Sequence, residues 1–129
     1  MKGMRRKSIM LSVITIIILL FLIWIFNFNI GYSIAITNNT NKIIKELNLK
    51  YKSGEEIVKI PVIKGKEVWK GKIKTDKVNG ENQIILQYKN NKGNLYEYII
   101  VPYLERGYSG KIKVFIKDVD KEGRLKLNI

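Results

Sequence analysis

The sequence contains no cysteine and no histidine. The first absence excludes a disulfide framework, a thiolate nucleophile, a thiolate metal site and a lipid-bearing cysteine. The second removes the commonest metal ligand and the commonest general base. A binding protein without cofactor or metal is therefore expected, not an enzyme. Catalysis, as a remote alternative, would have to use carboxylate, Tyr or Lys chemistry, with Glu55, Glu56 and Glu105 the nearest to a catalytic pair. Acidic residues are scarce as well, 11 against 24 Lys and Arg, and the formal net charge is +13. Beyond the N-terminal residues arginine is limited to Arg106 and Arg124, and no nucleic-acid-binding motif occurs, so nucleic acid is not an expected partner.

What the sequence does have is one long apolar run. Residues 9–28 read IMLSVITIIILLFLIWIFNF, with no charge and only Ser12, Thr15 and Asn27 as polar interruptions. A hydrocarbon core about 30 Å thick takes roughly 20 apolar residues in helix, so the run is expected to cross a membrane. Three regions follow: a basic tail over 1–7, a transmembrane helix over 8–29, and a domain over 30–129. Lys2, Arg5, Arg6 and Lys7 precede the span, and no Lys or Arg follows it until Lys42. By the positive-inside rule the tail is cytoplasmic and the domain lies outside, anchored by a single pass. Signal-peptide cleavage near Ser33-Ile34-Ala35 is the rival reading, disfavoured because the run exceeds a typical signal core. Ser8, Ser12 and Thr15 share a helix face and are expected to bond back to carbonyls one turn earlier. Trp24 and Tyr32 fit an aromatic belt at the outer interface. There is no Pro, Gly or Ser-rich stalk, so the domain should sit close to the bilayer.

Once the four cations of the tail are set aside, the domain carries the remaining +9. Its pattern is that of short strands separated by turn residues. Strand-like runs occupy 32–37, 42–52, 57–63, 67–74, 82–89, 95–103, 111–117 and 124–129. Period-two alternation is plain in Leu47-x-Leu49-x-Tyr51, Ile84-x-Leu86-x-Tyr88 and Ile112-x-Val114-x-Ile116. Asn90-Asn91-Lys92-Gly93 is a hairpin turn and should pair its two flanking strands antiparallel. Tyr98-Ile99-Ile100-Val101 is apolar on both faces, which predicts a central or covered strand. The fold class expected is all-β, an antiparallel β-sandwich of about eight strands after one N-terminal transmembrane helix.

The stretch ITNNTNKIIKELNLKYKSGEEIVKIPVIKGKEVWKGKI resembles the small immunoglobulin-like modules of FxLYD type found in anchored bacterial surface proteins. The matching residues are Asn38 to Thr40, the Leu47, Leu49 and Tyr51 strand, and the turn Ile63 to Glu67 before Trp69. Lys64 stands where that family usually has Pro, and the Phe-x-Leu-Tyr-Asp run is not matched. The resemblance implies an immunoglobulin-like fold and an extracytoplasmic location.

Two candidate surfaces emerge. Tyr96, Tyr98, Tyr103, Arg106 and Tyr108 supply the aromatic and Arg side chains favoured at protein interfaces, and suit a module that binds another envelope or membrane protein, as an accessory or immunity-type partner. As the alternative to that first reading, Lys70, Lys72, Lys74, Lys111 and Lys113 recur at alternate strand positions and suit anionic lipid heads or wall polymers. Asp118-x-Asp120-x-Glu122-Gly123 copies the opening of a calcium loop but lacks the closing Glu, and is expected to be a hairpin. Asn38-Asn39-Thr40 fits a glycosylation sequon, and equally a turn, the preferred reading.

Overall fold

The structure, a computed structural model, describes residues 2–28 and 30–129. Met1, and Asn29 at the end of the expected span, lie outside the described residues.

The first unit is one helix, α1 (Lys2–Phe28). At 1.5 Å per residue its 27 residues extend about 40 Å. Within Lys2–Phe26 an 18-residue window reaches a mean hydropathy of 3.1, so the helix is long and apolar enough to cross a membrane. The helix begins at Lys2, so the basic flank continues it without a break. Ser12 Oγ donates to the Ser8 carbonyl at 3.0 Å and Thr15 Oγ1 to that of Leu11 at 2.9 Å, the back-bonding that hides a hydroxyl in an apolar helix.

The second unit is all-β. Its strands are β1 (Tyr32–Asn38), β2 (Leu47–Tyr51), β3 (Glu56–Ile60), β4 (Val68–Ile73), β5 (Asn82–Lys89), β6 (Leu95–Leu104), β7 (Gly110–Val119) and β8 (Leu125–Asn128). They form two four-stranded sheets, in the orders β4-β1-β7-β8 and β3-β2-β5-β6. One core serves both: Ile34, Ile36, Val114 and Ile116 of the first sheet and Leu49, Ile84 and Leu86 of the second are at most 1% exposed. Each comes from the inward half of an alternating strand, which is why period two located the strands.

Three expectations change. The sheets are not wholly antiparallel, because β1 pairs with β7 in parallel, Tyr32 opposite Gly110 through Asn38 opposite Ile116. The two strands lie far apart in sequence, so no tight turn dictates their sense. Next, β6 is an edge strand, not a central one. Its register against β5 slips so that Ile84 faces Val101 while Ile85 faces Ile99. The extra residue is Ile100, so Ile100 and Val101 are buried together, and a bulge accounts for the apolar run. Finally, Tyr32 belongs to the sandwich core at 8% exposure, its ring lying where a Cβ on Gly110 would stand, and so is not an interface-belt residue.

The polar turns are built by side chains. Asn38 is fully buried, and its Nδ2 donates to the carbonyls of Lys42 (2.7 Å) and Ile63 (3.0 Å). Its Oδ1 accepts from the Thr40 backbone N–H and hydroxyl. An amide so committed is a structural fixture, which decides between turn and sequon. Asp120 likewise accepts the Arg124 N–H at 2.8 Å and its Nε at 3.1 Å, closing the β7–β8 hairpin. Among the described residues no group of carboxylates is placed to hold a metal ion.

Candidate functional site

The outer face of the β4-β1-β7-β8 sheet gathers four of the five candidate lysines. Ile34 and Ile36 of β1 point inward, so Ser33 and Ala35 point outward. The register then sets Ser33 between Lys72 of β4 and Lys111 of β7, and Ala35 between Lys70 and Lys113. All four lysines are exposed. Adjacent strands lie about 4.8 Å apart, so the two lysine rows flank β1 at roughly 10 Å, with a step of about 7 Å along each row. Between them runs a trough of about 350 Å³, floored by Ser33, Ala35 and the Gly71 backbone and walled by Lys70, Lys111 and Lys113. Further along the sheet Thr37 stands between Val68 and Phe115, and the surface turns apolar.

The electrostatics of this face are one-sided. Among the described residues no carboxylate pairs with Lys70, Lys111 or Lys113. Asp118, at the far end of β7, stands opposite Lys126 of β8. Lys74, the fifth lysine, is not part of the group. Strand β4 ends at Ile73, and Lys74 lines a separate cleft of about 860 Å³ with Glu55, Asp76 and Glu81, where the charges are mixed.

The tyrosine group divides. Tyr96 and Tyr98 are half-buried against the core, and both hydroxyls serve the β7–β8 hairpin. Tyr96 donates to the Glu122 carbonyl at 3.0 Å, and Tyr98 accepts the Leu125 N–H at 2.7 Å. These two residues tie one sheet to the other. Tyr103, near the end of β6, and Tyr108, in the loop to β7, do come together, with Arg106 between them in sequence. The rings of Tyr103 and Tyr108 meet edge to face with centroids 5.8 Å apart, and the Tyr103 hydroxyl donates to Glu105, which raises its pKa. Arg106 is committed to the neighbouring loop, its Nε to the Val78 carbonyl at 3.2 Å and its Nη2 to Asn79 at 3.0 Å. The loop is braced further by Thr75, fully buried, whose hydroxyl donates to the Tyr108 carbonyl at 2.6 Å.

Ser33 and Ala35, which make the floor of the trough, escaped the sequence reading. Their signal was small size at alternate positions of an otherwise Ile-rich strand, and it becomes meaningful only once β4 and β7 are known to flank them.

No protein-family model matches the chain, and no curated protein matches it. Among solved structures the chain is similar to a protein from Eubacterium rectale determined by NMR, at 15% identity over 77% of this chain and 87% of that one, with a TM-score of 0.49.

Proposed function

We propose that the chain is a single-pass membrane protein, N-terminus in the cytoplasm, that displays a basic β-sandwich outside the cell and binds phosphate-bearing anions of the envelope through its lysine face. The observation that carries this reading is the set of Lys70, Lys111 and Lys113 around β1, none of them paired with a carboxylate among the described residues. Orientation rests on the cations of the tail and their absence between α1 and Lys42. The immunoglobulin-like reading is kept as part of the proposal; it is supported by two facing sheets of short strands around one core, although β1 and β2 lie in different sheets here, unlike the first two strands of a constant-type domain.

A second reading, a module docking another membrane protein, is favoured by Tyr103 and Tyr108, which remain 44% and 42% exposed beside Arg106. Cross-linking through a photoreactive residue at Tyr108 in intact cells tests it; the absence of any specific adduct defeats it.

Two measurements test the main reading. Cysteines introduced singly at Ser53 and Asn91, both exposed, should react with a membrane-impermeant maleimide in intact cells. Labelling only after lysis would refute the orientation. Binding of the detergent-solubilised full chain to anionic envelope lipid or polymer should weaken steeply with added salt, and binding indifferent to salt would refute the electrostatic mechanism.

A further inference from the structure

Resting on the phosphate-binding reading of the same face, we propose that the trough along β1 holds a linear phosphodiester polymer in extended form, running parallel to the strand, in preference to the heads of a lipid surface. The shape of the site supports this choice. A bilayer is a broad surface and meets protruding side chains; it does not descend into a channel one strand wide. Here the ligand-sized space is recessed over Ser33 and Ala35, and the cations stand on both sides of it.

The spacing agrees. Lys111 and Lys113 on one side are two residues apart, a step of about 7 Å, and Lys70 faces Lys113 from the other side across Ala35. A single phosphate meets either the cross-trough pair Lys70 and Lys113 or Lys111 alone. A chain with phosphates at a similar pitch meets the Lys70 and Lys113 pair and Lys111 at once, and the second contact is intramolecular. The uncharged Ser33 and Ala35 floor offers room for the linking polyol without an acid to repel the phosphates.

The probe is an end-labelled poly(glycerol phosphate) oligomer, titrated by fluorescence anisotropy with the full chain in nonionic detergent at low salt; nanodiscs of anionic phospholipid form the second arm. We expect the oligomer to bind, and glycerol 3-phosphate to compete poorly even at equal phosphate concentration. Lys70→Gln with Lys113→Gln should weaken oligomer binding about 25-fold, the loss of two surface cations. The deciding variant is Ala35→Leu, which keeps every charge and fills the floor: it should cost about tenfold. Ser33→Leu, at an exposed position, is a second filling variant in case the first misfolds. Lys59→Gln, exposed on β3 in the other sheet, should leave binding within twofold.

If oligomer binding is lost on charge removal but untouched by either filling variant, or if nanodiscs bind through these lysines while the oligomer does not, the trough proposal fails and the phosphate-binding face survives. Equal competition by glycerol 3-phosphate per phosphate also overturns the linear chain. If neither oligomer nor nanodisc binds, both readings fall.

Discussion

The two outer faces of the sandwich use the same residue type to opposite ends. On the β3-β2-β5-β6 sheet Lys50 reaches across β5 to form an ion pair with Glu97, which also accepts from Gln87 at 3.2 Å, while Asn48 donates to Glu56 at 3.3 Å. Ile85, opposite both Lys50 and Ile99, is only 7% exposed although it points away from the core. There the lysine of β2 is neutralised, although Ile99, across Ile85 from it, stays 53% exposed. On the β4-β1-β7-β8 sheet the lysines flank Ser33 and Ala35, which offer neither charge nor bulk. An outward Lys is therefore not one signal: its meaning is set by what the strand beside it presents.

The largest effect that separates the faces should come from charge reversal. Lys70→Glu combined with Lys113→Glu is expected to lower affinity for anionic polymer or lipid by at least about 100-fold. Folding stability should stay within about 0.5 kcal/mol, as for other exposed sites, measured by denaturant unfolding. Retained binding would show the open face to be only a solvated one.

Next in size is Tyr98→Phe, which strands the Leu125 N–H; Leu125 is 4% exposed. A loss of about 1–3 kcal/mol is expected, with no change in anion affinity. The same tyrosines give an alkaline prediction. Burial raises the pKa of Tyr32 in the first sheet, and of Tyr88 and Tyr98 in the second, above 10.0. Their stabilising contribution is complete below that value and is lost as pH rises through the raised folded-state values. Unfolding in that range, followed by circular dichroism and by tyrosine absorbance, should take both sheets together.

Glu97→Gln should free Lys50 at a cost of about 0.5 kcal/mol, since the pair is partly exposed. It should also create new, weak anion binding there by releasing Lys50; no gain in binding would show that pairing is not what silences that face. The smallest effect is on acidification. The Lys50 contact holds the Glu97 carboxyl below 4.5, so its contribution is present above that value and fades as pH falls through the lowered folded-state one. Chemical-denaturant midpoints of the parent and Glu97→Gln chains should therefore converge at low pH.

The eight strands were legible because turn residues and period two are local signals. The lysine stripes were legible for the same reason. Their assembly was not, because it depends on β1 lying between β4 and β7, a non-local pairing. Lys74 dropped out because β4 ends one residue too early. That the hydroxyls of Tyr96 and Tyr98 bond to the β7–β8 hairpin was not legible, because alternation alone does not tell which face is inward and the bulge at Ile100 hides the sense of the strand.

The place of β1 has a mechanical consequence. It is the first strand after α1 and it is hydrogen-bonded along both edges, antiparallel to β4 and parallel to β7. If α1 is fixed in a membrane and the trough side of the sheet is held by a polymer, a pull along the strand enters the domain through β1. The ladder bonds on both sides then lie across the pull and share it in shear, so they must fail together and do not peel one by one. The strand that floors the trough is thus the one through which the cell membrane would be tethered to whatever the lysines hold.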